Sequence, residues 1–344
     1  MRTFFIPMKK IIAVIISCVT VHVYAQKVSF TPLLEDAVSI RSLQIWDGKV
    51  WYSGTDSKFG YVHLNNPSDK KQLKLTAEKL QFRTLAQDHQ AFYAINIESP
   101  ARFFRIDKLT LNSAIIYQDP AENAFYDALH FHKNRLYTFS DPEKDLRLKF
   151  AEILIQKGKA EPRYYSSYIL NSGEAAFAAS NTNIAARGKY VWLTTGGTSS
   201  RVFRLNTRKR KIEIFDTPFI QGNSSQGIYS IDFYDKDFGI AVGGDYTKQT
   251  ENTNNIATTH NGGKTWQIQA SGKNGGYKTC VRIRPGSGGK EIIAVGDQNI
   301  EYSKDFGHSW TTISEEKGLY VCEWTSASTV VLAGKNRIIQ MKFE

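Results

Sequence analysis

Residues 229–245 read YSIDFYDKDFGIAVGGD. Apolar and polar residues alternate on either side of a DKDFG turn, the period-two signature of two short strands joined as a hairpin. The same outline returns at Arg41 (RSLQIWDGKVWYSG), Arg83 (RTLAQDHQAFYAIN), Asp127 (DALHFHKNRLYTFSD), Thr182 (TNIAARGKYVWLTTGG), Thr279 (TCVRIRPGSGGKEIIAVGD) and Tyr320 (YVCEWTSASTVVLAG). Seven copies spaced 41 to 55 residues apart match the length of a propeller blade, and helical periodicity is nearly absent. The expectation is an all-β chain: a seven-bladed β-propeller of four-stranded antiparallel blades. The segment VSFTPLLED (28–36) precedes the first copy and the last copy ends short, so the N-terminal strand is expected to complete the last blade and close the ring.

A second hairpin follows the first in most copies, as in GYVHLNN, RFFRIDK, RVFRLN, IATTHNGGKTW and IEYSKDFGHSW. Asn65, Asp107, Asn206, Asn261 and Asp305 hold comparable turn positions. Two octets stand out, THNGGKTW (259–266) and SKDFGHSW (303–310). In each, a hydroxyl (Thr259, Ser303) and an acceptor (Asn261, Asp305) brace a turn, and Gly263 or Gly307 supplies the positive φ. Trp266 or Trp310 then packs on the sheet beneath. That composition needs no ligand, so the octets are read as scaffold.

The chain opens MRTFFIPMKKIIAVIISCVTVHVYAQ: a positive start at Lys9 and Lys10, an apolar run from Ile11 to Val23, and small residues before Gln26. This is the pattern of a secretory signal peptide over residues 1–25, cleaved near Ala25, rather than of a transmembrane segment. Lipidation at Cys18 is the weaker alternative. The expectation is an exported, periplasmic protein with one domain over 26–344, acting as a monomer. The formal net charge of +11 includes three residues of that leader, and the rest is spread along the chain. It makes no nucleic-acid footprint, and the densest run, TRKRK ending at Lys211, reads as a hairpin tip. Cys280 and Cys322 fall on separate strands and read as small buried residues.

The octets match the Asp-box, or BNR repeat, of sialidases and other propellers. The longer pattern NAFYDALHF, GEAAFAASNTNIAARGKYVWLTTGG, RVFRLN, GIYSIDFYDKDFGIAVGGDY and VGDQNIEYSKDFGHSW resembles the photosystem II stability/assembly factor-like propeller family, in its exported branch of non-photosynthetic bacteria. The likeness runs from about residue 38 to the C-terminus and is strongest from Glu174 to Trp310. Blades two to four depart from it, their boxes worn to FFRIDK and RVFRLN. The resemblance implies a seven-bladed propeller and, in photosynthetic relatives, assistance to assembly through protein partners. Some members of the exported branch carry an oxidoreductase label, but the dinucleotide fingerprint is absent here and no cofactor is expected.

Aligning the copies places the starts of the innermost strands around one mouth of the ring. Arg41, Arg83, Asp127, Tyr229, Thr279 and Tyr320 come from those starts; Arg201, Asp245 and Tyr246 come from loops returning to the same face, and Glu174 joins them. Arginines, tyrosines and carboxylates around a single funnel suit a protein surface, an anion or a glycan. The alternative is a glycan-directed hydrolase of sialidase type, recruiting Arg41, Arg83 and Arg201 for a substrate carboxylate, Tyr229 with Glu174 as nucleophile pair and Asp127 as acid. FFRID lies on a third strand, not where a sialidase arginine motif sits, which weighs against catalysis. His130 and His132 share a strand face, but no third metal ligand lies near them in sequence.

Overall fold

The computed structural model describes residues 26–156 and 158–344. The expected signal peptide and Cys18 lie outside the described residues. Every regular element within them is a β-strand, and all pairings are antiparallel.

The strands form six hydrogen-bonded sheets. Four contain four strands, for example Tyr126–His132, Arg135–Ser140, Lys149–Gln156 and Lys159–Tyr164. Counted as hydrogen-bonded sheets, the ring therefore has six blades, and the expectation of seven is corrected. The reason is the strand Val28–Trp46, which runs 19 residues without a turn. Its first half pairs with Thr329–Phe343, matching Val28 to Phe343 and Glu35 to Arg337. Its second half pairs with Lys49–Gly54, matching Leu43 to Tyr52. The first and last sequence units are thus fused into one six-stranded sheet that holds both ends of the described chain. The other six-stranded sheet gains two short strands, Glu174–Ala175 and Gly196–Gly197, through the pair Gly196 and Gly227.

Alternation along each strand puts one apolar row on each face, and neighbouring sheets pack those rows together. Trp192 and Phe233 stack with ring centroids 3.7 Å apart, Trp51 and Phe92 at 4.6 Å, and Phe103 meets Tyr126 edge-on at 5.0 Å. Each pair joins two sheets, and burying an aromatic ring contributes about 2–3 kcal/mol.

The longest interval between sequence copies, before Thr182, contains an irregular segment that crosses the middle of the ring. Its hydrogen bonds go outward to the surrounding inner strands. Arg41 donates to the Ala179 carbonyl at 3.0 Å, and Asn181 donates to the Leu85 carbonyl at 2.8 Å. The Leu129 amide donates to Asn181 Oδ1 at 2.7 Å, and Ser180 donates to the Thr279 carbonyl at 2.5 Å. Buried irregular backbone requires such partners. Residues 178–181 thereby plug the ring and leave a cavity on either side, of about 420 and 380 Å³.

Candidate functional site

The 420 Å³ cavity opens where the inner strands begin. Arg41, Arg83, Asp127, Tyr229, Tyr246, Thr279 and Tyr320 all line it, together with Asp297, Tyr277, Gln249, Phe125 and Phe177. Glu174, Arg201 and Asp245 are not part of its wall. Arg201 donates from Nε to both Glu174 oxygens, at 3.0 and 3.1 Å. Glu174 also accepts from Thr195 Oγ1 and from the Asn171 amide. Asp245 is spent on its own loop, accepting from the Thr247 amide and hydroxyl at 2.9 and 2.6 Å. These three hold loops in place: Glu174 and Arg201 pair across two neighbouring sheets, and Asp245 is satisfied by the loop that follows it.

The two wall arginines are different. Arg41 lies over the Tyr320 ring at 4.2 Å and donates to a carbonyl; Arg83 donates to Gln81 Oε1 at 3.1 Å and approaches the Ala178 carbonyl at 3.5 Å. Among the described residues no carboxylate oxygen comes within 4.0 Å of either guanidinium. Burial and the adjacent Arg41 charge pull Arg83 below its ordinary value. Two cations held on carbonyls and rings keep N–H donors for an incoming anion.

Asp127 is 1% exposed, and neither of its oxygens has a hydrogen-bond partner. Burial first, then the neighbouring Asp141, push it well above the carboxylate range, against the pull of Arg83 and a weak approach of the Ala178 amide; burial lifts Asp141 to about 6. An acid raised in the fold ionises earlier in the unfolded chain, so this pair favours unfolding as pH rises from about 4 through 6. Asp127→Asn is expected to raise the melting temperature at pH 7.5 and to flatten its fall between pH 4 and 7.5. A melting curve unchanged at both pH values would contradict this.

Tyr229 donates its hydroxyl to the Ser225 carbonyl at 2.7 Å and stacks on Phe177 at 3.9 Å. Burial drives its phenol far above the ordinary range. Glu174 is bound to Arg201 instead of to Tyr229, so the Tyr–Glu pair and the three-arginine cluster of a sialidase are not assembled.

The octets lie away from this cavity and work as hairpin braces. The Gly263 amide donates to Thr259 Oγ1 at 3.0 Å, and the Gly307 amide to Ser303 Oγ at 2.9 Å. Trp266 and Trp310 each donate from the indole to the carbonyl of that glycine, at 3.1 and 2.9 Å. Gly263 has φ of 83°, a conformation that favours glycine, and an added Cβ would sit a tight 3.2 Å from the Trp192 ring. Asn261 Oδ1 accepts the Lys264 and Thr265 amides, and Asp305 accepts from the Ser309 amide and hydroxyl. Asp107 and Asn206 brace their turns likewise, whereas no hydrogen bond of the Asn65 side chain does. Asp305→Ala should cost about 1 kcal/mol in urea unfolding and leave funnel binding unchanged; a binding defect at equal fold would contradict the assignment.

His130 and His132 sit at the opposite mouth. His130 lines the 380 Å³ cavity, and burial and the nearby Arg282 lower it to about 3. His132 contacts the Gly188 carbonyl, and the described residues hold no group of three or more metal-type side chains. Cys280 and Cys322, separate in sequence, are free thiols whose sulfurs lie 3.8 Å apart on neighbouring inner strands. The plug and the Tyr277 wall were absent from the sequence reading. Tyr277 was within reach, two positions before Thr279 on the same alternation.

No family model matches the chain, and no curated protein matches it in sequence. Solved structures do share its architecture. One described as YCF48 bound to D1 peptide aligns with a TM-score of 0.64 at 11% identity, covering 92% of this chain and 97% of that one. The chain has the fold of a β-propeller. U3-55K aligns with the same TM-score at 11% identity over 91% of this propeller and 98% of its own chain, and the RRP9 WD40 repeats at 10% over 92% and 97%. At these identities the likeness concerns the fold.

Proposed function

We propose that this propeller is a protein-binding module that takes an anionic group of its partner into the funnel, between Arg41 and Arg83. The observation that carries the reading is the pair of wall arginines without a carboxylate partner, at the edge of a 420 Å³ cavity walled by tyrosine and phenylalanine. A like-folded propeller with a bound peptide supports a peptide or protein ligand. The chain stays basic without the three leader cations, which favours encounter with an acidic partner. Export through the N-terminal leader, an assembly-assisting role and membership of the Asp-box group belong to the same proposal.

Affinity capture from an extract of the source cells, with wild type beside Arg41→Ala/Arg83→Ala, tests it. The expected result is a partner retained by wild type and lost by the double variant at equal folded content. Equal capture by both proteins would sink the reading.

A further inference from the structure

Asp127 lines the funnel, yet its carboxyl is buried and, beyond a weak approach from the Ala178 amide, has no donor among the described residues. Asp141, adjacent to it, leaves Oδ1 equally unpartnered. A buried acid without a donor is costly, and a second acid alongside raises the cost. A ligand that offered an anion alone would satisfy Arg41 and Arg83 and bring more negative charge towards this pair. A ligand that also carries a cation offsets both. Asp297 adds a second carboxylate to the wall, and Tyr246 and Tyr277 line it with aromatic rings of the kind that holds Arg41 at Tyr320.

We propose that the group taken into the funnel is amphoteric: a carboxylate held by Arg41 and Arg83, with an ammonium a few bonds away that donates to Asp127. This rests on the funnel reading above and narrows its ligand from any anion to an amino-acid-like headgroup displayed by the partner. Mixed charge on the wall is matched by mixed charge on the ligand, and a hydroxyl would satisfy only the hydrogen bond.

Glutarate and L-glutamate are matched probes, because they differ by one ammonium group. Calorimetric titration of the intact protein with each should show glutamate binding wild type about tenfold or more tightly than glutarate. Asp127→Asn should erase that preference, weakening glutamate while glutarate, freed of a nearby acid, binds at least as tightly as before. Arg41→Ala/Arg83→Ala should lose both. If glutarate binds wild type as well as glutamate does, or if Asp127→Asn leaves the preference intact, the amphoteric assignment is overturned while the funnel reading stands. If neither probe binds wild type, or if binding survives loss of both arginines, the funnel reading itself fails and this inference with it. The wild-type comparison needs no variant, so a folding defect cannot rescue the proposal.

Discussion

Glu174→Ala is expected to lower the free energy of unfolding by about 3–5 kcal/mol, read from urea titration. The Glu174 side chain is fully buried, and Arg201 is 12% exposed beside it. The carboxylate accepts from Arg201, from Thr195 Oγ1 at 2.6 Å and from the Asn171 amide at 2.9 Å. Truncation strands a guanidinium in a poorly hydrated place and orphans a hydroxyl and an amide, so the loss is that of a broken buried pair rather than of one surface contact. Glu174→Gln should recover part of it by keeping the acceptor oxygen. A loss below about 1 kcal/mol for the alanine variant would show that the loop relaxes or water enters.

Lys278→Met should cost a similar amount, about 3–5 kcal/mol, and should disturb the funnel wall as well. Lys278 is fully buried, 2.7 Å from Glu301, and donates to the Gly276 carbonyl at 3.1 Å. Glu301 in turn accepts the Gly275 amide at 2.8 Å. Lys278 lies between Tyr277 and Thr279, two wall residues, so the pair anchors the strand entry that presents them. Removing the lysine alone leaves the Glu301 charge buried. Replacing both partners, Lys278→Met with Glu301→Leu, should restore most of the stability, since two well-packed apolar side chains can replace a buried ion pair. If the double variant is no more stable than the single one, the loss comes from packing and not from an uncompensated charge.

The all-β architecture and part of the funnel wall were legible because both follow from alternation. A period of two fixes which side chains face the ring's centre, and the repeated starts at Arg41, Arg83, Asp127, Tyr229, Thr279 and Tyr320 therefore converge. Alternation does not reveal where one sheet ends. The stretch DAVSIRS, inside Val28–Trp46, reads as the gap between a leading strand and the first unit, yet the backbone stays extended through it and joins the two. Charge pairing was equally hidden: Glu174 and Arg201 reach the correct face and then satisfy one another. The plug at 178–181 has no period at all, and its hydrogen bonds go to inner strands far away in sequence. The Cys280 and Cys322 contact is of the same kind, set by ring geometry between neighbouring inner strands.

Photocrosslinking from the funnel rim shows whether a partner enters between Arg41 and Arg83. Tyr246 lines the cavity and is 50% exposed, so a benzophenone amino acid in its place samples whatever enters. The expected result is a crosslinked partner in the otherwise wild-type protein and with Asp305→Ala, and its disappearance with Arg41→Ala/Arg83→Ala. A crosslink of undiminished yield in the arginine double variant would contradict it.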